Sequence, residues 1–315
     1  MRHYRAGGVS RREFLAAVAA AAIARDAAAE SAAPLWGGPV LDCHFHLRAD
    51  PKSNLTHMDG CGVTNAVILA RDADKDASAL QAKYPRRIVW AAATDITTPG
   101  AEARLAQAVK AGAIGFGELK FHVEADGPEL QRVYALAAEL HVPVLVHFQE
   151  VPHYDGEGVW ETGFKRFEAM LRKYPNTRFI GHADAFWANV DASYHEEAAY
   201  PTGPITRGGV TDKLLGDYGN LFGDLSANSG NNALSRDPAF TKDFLTRHQD
   251  KLIFGSDCSC ADGKGAGTSQ ANNPAASRLA GKCVARETLT LLRASTTPDV
   301  FKKITWTNGH ALFRI

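Results

Sequence analysis

Two histidines stand one residue apart in DCHFHLRAD, residues 42–50, with an acid two positions before the first. Side chains alternate along a strand, so His44 and His46 leave one face. On this reading Asp42 shares that face one step deeper, and Cys43 and Phe45 point outward. Two imidazoles on one face can hold a divalent metal, or they can pack as ordinary core histidines. Other polar residues recur in the same kind of place: Glu118 and Lys120 in AIGFGELKF, His147 in VPVLVHF, His182 in TRFIGHA, Asp224 in NLFGDLSA and Asp257 in KLIFGSD. Each lies toward the end of a run whose interior is otherwise mostly Val, Ile, Leu, Phe, Ala and Gly.

Those runs are the elements that must position the polar groups. Eight β-rich stretches are expected, at 39–47, 63–70, 87–94, 113–121, 142–148, 177–183, 220–227 and 251–257. Helical periodicity falls between or after them at 101–112, 127–140, 164–174, 239–249, 285–292 and 308–313. The alternation predicts an α/β chain, a single (β/α)8 TIM barrel over residues 34–315. A doubly wound open sheet is the rival, but no glycine-rich phosphate loop follows the first strand. In a barrel the strand ends converge on one mouth, where unpaired charges are costly without a partner such as a metal. Two insertions stand out, 184–206 and 258–283, the second rich in Gly, Ala, Ser and Asn and expected to be a flexible loop.

The N-terminal segment is read apart from the fold. SRREFLAAVAAAAIA, with Arg11 and Arg12 before an alanine-rich apolar run, resembles a twin-arginine export signal over residues 1–33. The run is short for a bilayer span, which takes about 20 residues. The expected partner is the twin-arginine export machinery and the expected location periplasmic or otherwise exported. Without that segment, acids outnumber bases by two, so no basic field exists to hold nucleic acid. No second long apolar stretch predicts a stable membrane span in the mature chain. Five cysteines, an odd number, argue against a complete disulfide framework. Cys258 and Cys260 are too close for a relaxed local disulfide and closer than the usual zinc pair, so the thiols read as structural.

H-x-H after strand one, histidines after strands five and six and an aspartate after strand eight resemble the amidohydrolase superfamily. The resemblance spans about residues 39–315. FIGHADAFW, NLFGDLSA and ITWTNGHALF are similar to segments of its amidohydrolase-related group, which includes decarboxylases and hydrolases of small carboxylated compounds. GFGELK resembles the fourth strand of TatD-type hydrolases, where a glutamate bridges two metals. The resemblance implies that His44, His46 and Asp257 hold a first metal, with Asp257 also taking a proton from activated water. His147 and His182 would hold a second metal, or one would ligate the first while the other polarises a substrate carbonyl. Zn2+ suits these donors, one or two per chain, with Mn2+ or Fe2+ as alternatives.

Strand four stays open between Glu118 and a carboxylated Lys120 as the bridge. Glu118 is favoured because it needs no modification and Gly115 and Gly117 leave room beside it. Lys120 would then bind a substrate carboxylate or phosphate, or pair with Glu118. His122, Asp224 and Trp187 are further candidates for substrate contact, with His153, Tyr154 and Trp160 as cavity walls. Asp224 with Ser226 can equally orient ligands. His57 reads as a loop residue without a role, and His195 and His248 as surface. The expected function is an exported metal-dependent hydrolase of a small ester, lactone, amide or phosphoester. The alternatives are a metal-dependent decarboxylase of an unsaturated or aromatic acid, a catalytically inactive metal- or solute-binding protein, and a nuclease.

Overall fold

The β-rich runs become eight parallel strands paired in chain order: β1 Leu41–His46, β2 Asn65–Arg71, β3 Ile88–Ala93, β4 Phe116–Leu119, β5 Val144–His147, β6 Phe179–His182, β7 Leu221–Asp224 and β8 Leu252–Ile253. Two backbone hydrogen bonds join the last to the first: Cys43 N–H donates to the Phe254 carbonyl at 2.9 Å, and Asp257 N–H to that of His44 at 2.8 Å. The sheet thereby curls into a nearly closed (β/α)8-like barrel, seen in a computed structural model that describes residues 34–154, 156–158, 160–196, 198–267 and 278–315. The segment read as an export signal, 1–33, lies outside the described residues, as do 268–277 of the expected flexible loop. The chain divides into units 1–38 and 39–315. Of the first, only a turn at 34–38 is described.

Helices flank the strands: α1 Pro51–Cys61, α2 Asp74–Lys83, α3 Ala101–Lys110, α4 Pro128–Leu140, α5 Glu168–Lys173, α6 Asp184–Ala188, α7 Val210–Asp217, α8 Ala227–Arg236, α9 Pro238–Arg247, α10 Val284–Ser295, α11 Pro298–Lys302 and α12 Asn308–Phe313. Three of them, α1, α9 and α11, start with a polar cap and a proline: Asp50-Pro51, Asp237-Pro238 and Thr297-Pro298. Each cap oxygen accepts a backbone N–H of the first turn, and the proline lacks only a donor that the helix leaves orphaned. Leu41, Cys43, Val67, Leu69, Ala91, Leu145, Ile180 and Ile253 fill the barrel, closed below by Leu312 and Phe313 of the terminal helix. Among the described residues no helix is long and apolar enough to cross a membrane.

Two expectations change here. Strict alternation in β1 fails, because its pairing with β2 gains one residue between Asp42 and Phe45. Cys43 therefore joins the interior cluster, while Phe45 packs beside the His57 ring of α1 at 4.9 Å. The eighth strand is shorter than 251–257 because its next donors go elsewhere. Phe254 N–H bonds the Ile304 carbonyl, and Ser256 N–H bonds Asp42 Oδ1 at 2.8 Å.

His248 is buried rather than on the surface, with Nε2 2.6 Å from Asp212 Oδ1. Arg247 grips the same carboxylate with two nitrogens, at 2.7 and 3.1 Å. Burial alone would raise the Asp212 carboxyl, but His248 and Arg247 hold it down at about 2, against an ordinary 3.8. A depressed carboxyl stabilises the fold above its unfolded pKa and loses that contribution as pH falls through its folded one. Asp212→Asn should thus lower the urea midpoint near neutral pH, and the gap to the parent should close as pH falls through 3.8 toward about 2. A gap that does not change with pH would assign the loss to packing.

Candidate metal centre at the barrel mouth

Strands β1, β4, β5 and β6 end on residues that meet around one carboxylate. Glu118 is buried, with Oε2 3.5 Å from His46 Nε2, and Oε1 2.5 Å from His147 Nδ1 and 3.4 Å from His182 Nε2. Gly117 is what brings β4 this close to β5. A Cβ there would lie 2.7 Å from that of Leu145, and its φ of +137° is open to glycine only. The missing side chain thus makes room for the neighbouring strand rather than leaving the open space beside Glu118 expected from the sequence.

On the other side of Glu118, His44 Nε2 is 3.3 Å from His46 Nε2 and 3.7 Å from Asp257 Oδ1, and His46 Nε2 is 3.3 Å from the same oxygen. The structure so brings together all six residues expected as metal ligands, His44, His46, Glu118, His147, His182 and Asp257. They fall into two donor sets, His44/His46/Asp257 and Glu118/His147/His182.

The outer nitrogens explain how the rings are aimed. His44 Nδ1 is 2.7 Å from Asp224 Oδ2, and His182 Nδ1 is 2.8 Å from Ser226 Oγ and 3.3 Å from Asp224 Oδ2. Ser226 O–H is 2.7 Å from Asp224 Oδ2, and its N–H donates to Oδ1. His147 Nε2 is 2.9 Å from Gln149 Oε1. Each of these three imidazoles has its far nitrogen held by an oxygen and its near nitrogen turned to the carboxylates. Histidine ligands of metals are oriented in this way.

Charge points the same way. Burial would raise the Glu118 carboxyl, yet His147, His46 and His182 hold it well below the usual range. Asp224 is likewise depressed by His44 and His182 against burial, and Asp257 by His44 and His46. Desolvation opposes charge on His46, but hydrogen bonds with Asp257 and Glu118 lift it to about 10. Three ionised carboxylates thus favour protons on His44 and His46, a place a divalent cation can take while those histidines turn neutral. The donor set fits a metal, with hard carboxylates and borderline imidazoles suiting Zn2+, Mn2+ or Fe2+.

Above the carboxylates opens a cavity of about 1340 Å³. Lys120 and His122 line it, as do His153, Tyr154 and Trp160. His122 stacks on Trp160 with ring centroids 3.9 Å apart, and the Lys120 ammonium stands 5.7 Å from the same ring centroid. Two expected substrate contacts are corrected. Trp187 is buried and outside the cavity lining, with its indole N–H donating to the Asp224 carbonyl at 2.8 Å, because α6 tucks it under β7. Asp224 is fully buried and serves the imidazoles instead. Sequence reasoning missed Gln149, Arg71, Asp184 and Tyr200. Arg71 ends β2 at the cavity wall with its guanidinium over Phe121, and the end of a barrel strand was the signal for it. Asp184 holds His153 Nε2 at 2.9 Å, and Tyr200 stacks on the same ring.

The Amidohydrolase family model matches residues 62–315. Among curated proteins no sequence relative matches the chain. Solved structures do. An amidohydrolase from Burkholderia multivorans with bound HEPES superposes with a TM-score of 0.57 at 12% identity, over 88% of this chain and 100% of that one. The 5-carboxyvanillate decarboxylase of Novosphingobium aromaticivorans, complexed with manganese, gives 0.55 at 12% identity, over 89% and 97%. The 2,6-dihydroxybenzoate decarboxylase from Rhizobium gives 0.52 at 14%, over 88% and 98%. At these identities the likeness is one of fold.

Asp224→Asn removes the charge that orients His44 and His182. Metal affinity should fall about 10–100-fold in competition with a chromophoric chelator, with an unchanged circular dichroism spectrum. Unaltered affinity would contradict the orienting role.

Proposed function

This chain belongs to the amidohydrolase family of metal-dependent TIM-barrel enzymes, and from that premise we propose that it hydrolyses a small carbonyl or phosphoryl compound at a two-metal centre. One observation carries the reading: the two oxygens of Glu118 face different donor sets, Oε2 toward His46 and Oε1 toward His147 and His182. A carboxylate so placed could serve two cations, which supports Glu118, rather than a carboxylated Lys120, as the residue that would be shared between them. Divalent metal held there would supply Lewis acidity, activating water at neutral pH and polarising the bond to be broken.

The chain's own groups do the rest. Asp257 is held ionised and keeps 29% of its side chain open to the cavity, so it can take a proton from the attacking water and pass it to the leaving group. His182 is engaged at both nitrogens, which favours a ligand over a free electrophile. Lys120 and Arg71 place two cations on the cavity wall and favour a substrate with a carboxylate or phosphate. Trp160 and His122 offer an apolar, stackable flank.

The structural neighbours lean toward a second reading. Two of the structural neighbours described above are decarboxylases of aromatic acids, and a cavity that pairs cations with a metal centre also suits removal of a carboxylate. The proposal extends to export of the folded, metal-loaded chain, on the strength of Arg11 and Arg12 before the apolar run. Exchange of both for lysine should leave the protein in the cytoplasm in cell fractionation, and unchanged export would remove that part.

Purified protein should be assayed against esters, lactones, amides, phosphoesters and small aromatic or unsaturated acids. Hydrolysis is expected, and Asp257→Asn should lower kcat about 10²–10⁴-fold with the fold retained. Release of carbon dioxide without hydrolysis would establish the second reading, and full turnover by Asp257→Asn would exclude its proton-transfer role.

A further inference from the structure

A second cluster of metal-competent groups lies behind the mouth. We propose that His57, Cys258, Cys260 and Cys283 form a structural zinc site that anchors the segment carrying Asp257. His57 sits on α1, Cys258 and Cys260 follow β8, and Cys283 caps the start of α10; all four are buried. Their donor atoms lie within 4.8 Å of one another. Cys258 Sγ is 3.4 Å from Cys260 Sγ and 3.8 Å from Cys283 Sγ, and Cys283 Sγ is 3.6 Å from His57 Nε2.

These three of the six spacings lie within about 0.4 Å of the edges of a zinc tetrahedron, and the other three are no longer than 4.8 Å. Arms of about 2.3 Å to sulfur and about 2.0 Å to nitrogen give S···S edges of about 3.8 Å and S···N edges of about 3.5 Å. The sulfurs are too far apart for disulfides, whose bond is about 2.05 Å long. Three thiolates and an imidazole, all from protein and all buried, make a closed site of the structural kind, with no position left for substrate. His57 Nδ1 lies 3.8 Å from Cys61 Sγ, which leaves Nε2 as the nitrogen facing the cluster.

The surroundings suit the charge that results. Zinc binding releases three thiol protons and leaves a net charge of −1 on the site. Arg48 donates to the carbonyls of Cys258 at 3.0 Å and Cys260 at 2.7 Å, placing its cation against the same turn. The turn is also pressed onto α1: a Cβ on Gly60 would fall 1.8 Å from the Asp262 carbonyl oxygen. Cys258 directly follows Asp257, whose φ of +46° is unusual for a residue with a side chain. A zinc anchor one residue away would hold that conformation.

X-ray absorption at the zinc edge of the full-length, zinc-loaded protein tests the site, because the mouth offers only nitrogen and oxygen. Absorption averages over all bound zinc, so a sulfur shell at about 2.3 Å is expected that amounts to three sulfurs per chain. Cys283→Ser should lose one zinc per chain. Cys283→His, which keeps a donor, should retain the zinc and show two sulfurs in place of three, so that misfolding of the serine variant cannot mask the result. Zinc bound by nitrogen and oxygen alone, or a sulfur shell identical in parent and Cys283→His, would overturn the proposal.

Discussion

Three ionised carboxylates share one barrel mouth, and positive charge has to meet them there. Glu118 and Asp224 are buried and Asp257 is mostly so, yet none is displaced toward its protonated form. Without a cation the balancing charge falls on His44 and His46, whose pKa values are raised in consequence. A divalent metal supplies that charge more compactly than protonated imidazoles and frees the rings to act as ligands. The two donor sets and the outer hydrogen bonds both answer that one electrostatic demand.

The barrel meets it by division of labour along each strand. The lower positions are apolar and fill the interior down to Leu312 and Phe313, while the strand ends carry the polar groups. Asp224 sits behind the imidazoles rather than among the ligands, held by Ser226 and covered by the Trp187 indole at its carbonyl. Behind the last strand, Asp42 secures the turn toward Asp257 through the Ser256 N–H. The reacting groups therefore rest on elements that are themselves packed and hydrogen-bonded, as a site that must keep its geometry requires.

Much of this was legible in the chain, for a definite reason. A strand that ends in His147 or His182 places its last side chain at the mouth whatever the loops do, so period and position suffice. The barrel order and half of the twelve described helices follow from the same periodicity. What was not legible depends on departures from it. One extra residue in β1 turned Cys43 inward, and donors diverted to Ile304 and Asp42 shortened β8. Trp187 looked like a cavity wall because it follows His182 closely, but α6 turns it beneath β7. His57 and Cys283 stand 226 residues apart, so no local spacing could join them, and the C-x-C pair alone departs from the usual zinc pattern.

In the function we propose, Glu118 joins two metal-binding sets into one centre. Anomalous diffraction from crystals grown with the divalent metal, recorded on either side of its absorption edge, addresses it directly. Two peaks in the mouth are expected, one among His44, His46 and Asp257 and one beside His147 and His182, each in contact with an oxygen of Glu118. A single peak that leaves Glu118 uncoordinated, or a mouth without any peak, would contradict it.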